Sequence, residues 1–190
     1  NWGSLELKDR MRHLTKVLHN YLNKDFETAT KQILKLTEVL NPEDYKYTAL
    51  VFLFLPDYIE THGLKYFDLS MKTFESITEF TTCEFAVRPF IIQNQEKALA
   101  IMLKWSKHKN HHIRRLASEG CRPKLPWGLA LKELQKDPSP ILPILKNLKA
   151  DPEDYVYRSV ANNLNDISKD HPELVLRVAK KWIGKTKTTD

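Results

Sequence analysis

Apolar residues recur at helical spacing through almost the whole chain. A polar residue able to cap a helix, Ser4 or Asp25, precedes each of the first two apolar series. Further helices are predicted over residues 43–54, 68–79, 82–93, 95–107, 111–119, 129–135, 140–148, 152–168 and 172–183. No stretch alternates apolar and polar residues between turn signals, so the pattern disfavours a sheet. The fold class predicted from this pattern is all-α.

Two of the predicted helices carry the same short motif. Residues 112–118 read HIRRLAS and residues 156–162 read VYRSVAN, which aligns Arg114 with Arg158 at an offset of 44 positions (158 minus 114). This offset matches the period of HEAT or armadillo repeats, roughly 40–47 residues. We therefore expect a curved solenoid of HEAT-like helical repeats. Residues 1–190 would form a single repeat domain that lacks its natural N-terminus and its last C-terminal repeat.

Positive charge is concentrated in one part of the chain. The formal net charge is +6, and residues 104–124 alone carry seven Lys and Arg residues against a single acidic residue, Glu119. A basic patch of this kind is typical of a protein that binds phosphates or another acidic partner, and a solvated lysine-rich face is the alternative. The longest apolar run, residues 49–55, is far shorter than the roughly 20 residues of a membrane span. We therefore expect no membrane partner. No Gly-x-Gly pair is present, so we expect no nucleotide cofactor either.

Cysteine and histidine residues do not predict a metal site. Cys83 and Cys121 are too few for a disulfide framework or a four-cysteine zinc site, and they fit buried thiols in a reducing cytoplasm. His108, His111 and His112 stand among lysines without a carboxylate on the same turn, which favours a phosphate-facing or solvated cluster. We expect no metal and no cofactor.

The predicted helix over residues 152–168 has an unusual polar face. Arg158, Asn162, Asn165 and Asp166 gather opposite its apolar residues. Asparagine is a poor helix former, so its repeated use indicates that hydrogen-bonding groups are needed on this face. Asn163 points toward the apolar side, where a buried structural hydrogen bond is the expected role.

Two glutamates have structural interpretations beside functional ones. Thr81 and Glu84 have capping-box spacing, and Glu84 with Arg88 is a favourable i,i+4 pair. The same i,i+4 pairing applies to Arg115 with Glu119. On spacing alone, these structural uses are the favoured interpretation.

A stiff loop follows the helix over residues 111–119. Gly120 ends that helix, and two prolines restrict the segment that carries Arg122, Lys124 and Trp127. Trp127 could stack on a base or face a cationic ligand, or it could seal two flanking repeats as a plug. The spacing leaves these two roles open.

Three separated segments of the chain together resemble one known family. Residues 82–91 (TCEFAVRPFI), 112–127 (HIRRLASEGCRPKLPW) and 159–172 (SVANNLNDISKDHP) closely resemble the AlkC family of DNA alkylation repair glycosylases, and residues 5–13 look like an earlier signature of it. Cys121 departs from the pattern because a hydroxyl residue is commoner there, and Tyr157 because a basic residue is often seen.

The resemblance implies a HEAT-like fold and a monofunctional glycosylase, expected to be a cytoplasmic monomer that acts on damaged double-stranded DNA. It would remove 3-methyladenine and 3-methylcytosine by cleaving the N-glycosidic bond. The cationic base leaves as a neutral group, so the costly feature is the oxocarbenium-like sugar, which nearby carboxylates stabilise. Glu84, Glu119 and Asp166 match the family's acidic active-site residues, each expected on the second helix of a pair.

The same resemblance implies further site residues. Trp127 would face the cationic base or its sugar, and Arg122 a nearby phosphate. The implied DNA-binding residues are Arg88, Arg114, Arg115, Arg122, Lys124 and Arg158, with Asn162 and Asn165 as neutral donors.

Two alternatives belong to other functional classes. A protein-binding helical scaffold would place apolar or acidic residues on its concave face, and the arginine-rich, asparagine-rich face argues against it. A non-catalytic DNA-binding relative would recognise shape alone and would tolerate the loss of every carboxylate.

Overall fold

The computed structural model describes residues 2–40 and 49–184, and the regular elements within these residues are all helical. The predicted all-α fold class is therefore confirmed. The chain divides into two compact units, Asn1–Val87 and Arg88–Asp190. Across the described ranges, no helix has the length and apolar character that a membrane crossing requires.

Within the described residues, the first unit has four α-helices that pack around an apolar core. They are α1 (Leu7–Tyr21), α2 (Phe26–Val39), α3 (Phe54–His62) and α4 (Phe67–Ile77). Helix α1 packs on α3, and α2 packs on α4. Asp25 caps α2 as predicted, because its side chain accepts a 2.8 Å hydrogen bond from the backbone N–H of Thr28. Ile33, Leu55 and Phe74 are fully buried in this core.

Helix α3 was not predicted. The prediction placed a helix over residues 43–54, of which residues 43–48 lie outside the described residues, whereas α3 begins at Phe54. Pro56 lies in the first turn of α3, where a backbone N–H would have no intrahelical partner. Proline is tolerated there, so it does not mark the end of a helix in this segment.

The second unit has seven α-helices in its part described by the structure, residues 88–184. They are α5 (Arg88–Gln93), α6 (Gln95–Trp105), α7 (His111–Glu119), α8 (Lys132–Lys136), α9 (Leu142–Leu148), α10 (Asp154–Ser168) and α11 (Pro172–Trp182). Helices α7 and α10, which carry the repeated motif, pack against each other. Asn163 of α10 donates a 2.8 Å hydrogen bond to the carbonyl oxygen of Ser118 in α7, which confirms its predicted structural role.

The segment before α5 differs from the prediction. A helix was expected over residues 82–93, but α5 begins only at Arg88, and Glu84 lies in a preceding turn. Pro89 has no N–H to donate to the carbonyl of Phe85, and its ring clashes with that carbonyl in a continuous helix. The proline therefore prevents a helix from extending across this segment. Glu84 is consequently not on the second helix of a pair, which corrects that expectation.

Candidate functional site

Glu119 and Asp166 meet at the guanidinium of Arg122. Glu119 is the last residue of α7, Asp166 lies in α10, and Arg122 belongs to the loop after α7. Arg122 donates from Nη1 to Glu119 Oε1 over 2.7 Å and from Nε to Asp166 Oδ2 over 2.8 Å. All three residues are buried, with 8% or less of their surface exposed. The structure thus brings together two of the three predicted carboxylates.

Other cations and a hydroxyl complete this carboxylate cluster. Arg115 Nη2 lies 3.5 Å from Glu119 Oε1, and Lys169 Nζ lies 3.3 Å from Asp166 Oδ1. The hydroxyl of Ser159 donates a 2.5 Å hydrogen bond to Glu119 Oε2. Buried charges are tolerated only when they are paired and hydrogen-bonded, and both carboxylates meet that condition. Their orientation is therefore set before any ligand binds.

The protonation of Arg122 follows from the same contacts. Burial alone would lower the pKa of Arg122, but its hydrogen bond to Asp166 and the negative charge of Glu119 raise that pKa above its ordinary value. The guanidinium therefore stays charged and continues to hold both carboxylates.

The structure corrects one prediction about this cluster and leaves another untested. Asp166 was placed on the polar, open face of its helix, but it is 1% exposed because Arg122 lies against it. Arg122 was expected to contact a DNA phosphate; the two hydrogen bonds described above direct its guanidinium toward carboxylates, and its phosphate contact stays a prediction. The loop after α7 covers this part of α10, which the periodicity of α10 alone could not indicate.

Arg114 has a structural role. It forms two hydrogen bonds with Asp151, of 2.6 and 2.9 Å, and it also donates to the carbonyl oxygens of His108 and Lys109. The hydrogen bond to Asp151 raises the pKa of Arg114 above its ordinary value. These contacts fasten the start of α7 to the segment before α10, which disfavours its predicted role in holding the DNA backbone.

Arg88 does not fit its predicted role as a DNA-binding residue, since its side chain is fully buried and has no surface to offer a phosphate. Its Nε donates to the carbonyl oxygen of Leu129, and its Nη1 donates to that of Gly120 over 3.0 Å. Burial lowers the pKa of Arg88 to about 10, which still leaves it charged at neutral pH. Arg88 belongs to the interior of the second unit.

The remaining predicted DNA-binding residues lie at or near the surface. Arg158 pairs with Asp154 over 2.7 Å but keeps 73% of its side chain exposed, and Asn162 and Asn165 are exposed beside it on α10. Lys124 pairs with Asp170 over 2.7 Å with about a third of its side chain exposed. Their DNA contacts stay predictions.

Arg115 lies over an aromatic ring. Its guanidinium is 4.8 Å from the ring centroid of Tyr155, and 14% of its side chain is exposed. Its predicted contact with DNA stays a prediction. Tyr155, Ser159 and Lys169 are site residues that the sequence reasoning missed, although the last two lie within the segment over residues 159–172 that carries the family resemblance.

Trp127 is 71% exposed, which excludes the role of a buried plug. Its φ angle is +62°, in the left-handed region. That conformation costs a residue other than glycine about 1–3 kcal/mol and persists only where the surrounding structure imposes it. The backbone N–H of Gly128 donates a 3.0 Å hydrogen bond to the carbonyl oxygen of Leu125. This bond closes a turn with Pro126 and Trp127 at its centre, and a turn with proline at its second position commonly has a positive φ at its third.

Glu84 belongs to the first unit, where it is buried with 7% of its surface exposed. Its expected place beside the other two carboxylates stays a prediction.

The side chains of Cys83 and Cys121 are buried free thiols, as predicted, and burial raises the pKa of Cys121 to about 12. Among the residues that the structure describes, no group of three or more His, Cys, Asp or Glu is arranged to hold a metal ion.

Comparisons with known proteins identify a family and a relative that this chain resembles. The family described as "DNA alkylation repair enzyme" matches residues 9–188. The uncharacterized protein YhaZ of Bacillus subtilis (strain 168) is 48% identical over 190 residues, which are 100% of this chain and 51% of that protein.

Two solved structures are also similar. The alkylpurine DNA glycosylase AlkC of Pseudomonas fluorescens, bound to DNA containing an abasic site analog, is 40% identical with a TM-score of 0.90, covering 98% of this chain and 51% of that one. The structure of smu.31 from Streptococcus mutans UA159 is 24% identical with a TM-score of 0.61, covering 97% of this chain and 94% of that one, and it shows the fold alone. This chain spans about half the length of YhaZ and of the Pseudomonas glycosylase.

Proposed function

Because the chain belongs to the family of DNA alkylation repair enzymes, we propose that it forms the base-excising part of a monofunctional DNA glycosylase. Its substrates are 3-methyladenine and 3-methylcytosine in double-stranded DNA, and the bond cleaved is the N-glycosidic bond. The protein acts on DNA in the cytoplasm. It works as a monomer and uses no metal or cofactor.

The observation that carries this proposal is the pair of buried carboxylates, Glu119 and Asp166, held by Arg122. A methylated base already bears positive charge, so it can leave as a neutral group without being protonated by the enzyme. Positive charge then develops on the sugar, and a fixed carboxylate in a poorly solvated site stabilises it strongly. Restraint by Arg122 and Ser159 means that little reorganisation is required when this charge appears.

Exposed and partly exposed residues of the second unit fit the remaining tasks. The exposed ring of Trp127 offers a π-face to a cationic base or to the sugar beside it. Arg158 and Lys124 offer cationic groups to phosphates, with Asn162 and Asn165 as neutral donors. Glu84 is the third acidic residue of the proposal and rests on the family resemblance.

The proposal is tested by incubating the chain with methylated duplex DNA and measuring free 3-methyladenine and 3-methylcytosine by chromatography. We expect both bases from the unmodified chain and from Glu133→Gln, a control that removes an exposed carboxylate. Glu119→Gln and Asp166→Asn should release either base far more slowly. DNA binding without base release by the unmodified chain would instead identify a shape-recognising binder and overturn the glycosylase proposal.

A further inference from the structure

A loop with a conformationally strained residue is anchored at both ends by one buried cation. The loop runs from Gly120, which follows α7, to Leu129, and it carries Trp127. The carbonyl oxygens of Gly120 and Leu129 both accept hydrogen bonds from the guanidinium of Arg88. The two ends of the loop are therefore joined through a side chain that is itself fully buried.

Direct packing adds to these hydrogen bonds. A Cβ atom placed on Gly128 would lie 3.1 Å from Arg88 Nε and 3.1 Å from Leu125 Cδ2, closer than side chains ordinarily approach. Any larger residue at position 128 would require Arg88 or Leu125 to move by a few tenths of an ångström. The residue that precedes this contact is Trp127, at the φ angle of +62°.

The chemistry of Arg88 suits this contact. Its Nη2 is buried without a hydrogen-bond partner among the described residues, and the acceptors of Nε and Nη1 are backbone carbonyl oxygens. A lysine would keep the charge, but its single ammonium lacks the planar fork that reaches two separated acceptors. A fully buried arginine is rare, and this one is used to close a loop.

We propose that Arg88 is a positioning residue, which closes the loop over residues 120–129 at its base and thereby presents Trp127 in the orientation that base excision uses. This inference rests on the proposed glycosylase function for its effect on rate. Its structural half, the control of Trp127 by Arg88, can be measured without activity.

The first test is structural. The chain is labelled with 5-fluorotryptophan, which gives one ¹⁹F resonance for each of its four tryptophans, and Trp127→Leu identifies the resonance of Trp127. In Arg88→Lys and in Arg88→Met we expect that resonance alone to move and broaden, while the other three stay in place. Gly128→Ala should do the same with Arg88 intact, and it serves if an Arg88 variant does not fold. An unmoved Trp127 resonance in a folded variant overturns the proposal.

The second test is kinetic. Arg88→Lys should lower the single-turnover excision rate about 10²-fold, as expected for a misplaced reacting group, with the Kd for DNA unchanged. In the Trp127→Leu background the same substitution should have almost no further effect, because residues that act as a unit are not additive. Rate losses that multiply would mean that Arg88 acts independently of Trp127 and would overturn the proposal.

A control separates positioning from loss of stability. Leu145→Ala opens a cavity in the same unit at a fully buried residue outside this loop, so it should lower the melting temperature without moving the Trp127 resonance. If the unmodified chain excises no base, the proposed function fails while the resonance still decides whether Arg88 positions Trp127.

Discussion

Arg122 donates a 2.8 Å hydrogen bond to Asp166, a residue 44 positions further along the chain. This contact joins the loop after α7 to α10, and it encloses a carboxylate that helical periodicity alone assigns to an open face. The same guanidinium holds Glu119, so removing one member of the cluster changes the charge balance of the other two.

Asp166→Asn keeps the shape of the side chain and removes its charge. We expect excision to be slower by about 10²–10³-fold, in the range observed for losing a major electrostatic stabiliser. We also expect unfolding to become easier by about 1–3 kcal/mol, because a buried hydrogen bond to a charged group is weakened. Single-turnover base release and urea unfolding measure the two effects. Excision near the unmodified rate would show that Asp166 is not catalytic.

The DNA-binding surface can be mapped by salt dependence. Arg158→Ala should weaken binding to methylated and intact DNA equally and should flatten the log–log salt slope by about one unit or less. Arg114→Ala is the matched control, because Arg114 is engaged by Asp151. It should lower the melting temperature and leave the salt slope unchanged. Fluorescence anisotropy titrations at several salt concentrations measure both slopes, and a slope that Arg158→Ala does not change would remove Arg158 from the DNA-binding surface.

Trp127 allows backbone strain and function to be separated. Trp127→Leu keeps a side chain at a positive φ angle, whereas Trp127→Gly relieves the steric conflict. We expect the glycine variant to be more stable than the leucine variant by about 1 kcal/mol, as estimated from the cost of the left-handed region. Both variants should excise slowly, and both should melt within a few degrees of the unmodified chain because the ring is largely exposed. A large loss of stability in Trp127→Leu would return Trp127 to a structural role.

The sequence predicts most helices of the described residues because their apolar spacing is a local property. Helix α7 matches its prediction at both ends, and α1, α4 and α10 match within a few residues. The prediction is wrong where one proline decides the outcome: Pro89 prevents a helix from starting at residue 82, whereas Pro56 is accommodated in the first turn of α3.

The site could be predicted only in part, because its contacts are made between distant segments. The positive surplus of residues 104–124 looks unopposed in the sequence. In the structure, Asp151 pairs with Arg114, Asp166 with Arg122, and Asp170 with Lys124. Three of the basic residues are therefore paired with carboxylates more than 30 positions away, and no local pattern distinguishes them from residues free to meet a phosphate.

The first unit holds a carboxylate whose titration should govern stability. Glu60 lies 3.3 Å from Arg12 Nη2, and that same nitrogen lies 2.9 Å from the buried carboxylate of Asp57. Burial, together with the negative charge of Asp57, raises the pKa of Glu60 to about 7 from an ordinary value of 4.5, despite the nearby Arg12. Between pH 4.5 and about 7, Glu60 therefore keeps its proton in the folded chain but has already lost it in the unfolded chain.

Stability should consequently fall as the pH rises from about 4.5 to about 7 and stay reduced above it. Glu60→Gln removes the titrating group but keeps an oxygen acceptor for Arg12, so it should flatten this part of the profile. At pH 8 we expect the variant to be more stable than the unmodified chain by up to about 3 kcal/mol, since one pKa unit corresponds to about 1.4 kcal/mol. Near pH 5 the difference should largely disappear. Urea unfolding at intervals across this range measures the profile, with Glu27→Gln as a control for loss of an exposed carboxylate. A Glu60→Gln variant that is less stable than the unmodified chain at pH 8 would show that the ion pair with Arg12 outweighs the cost of burying the charge.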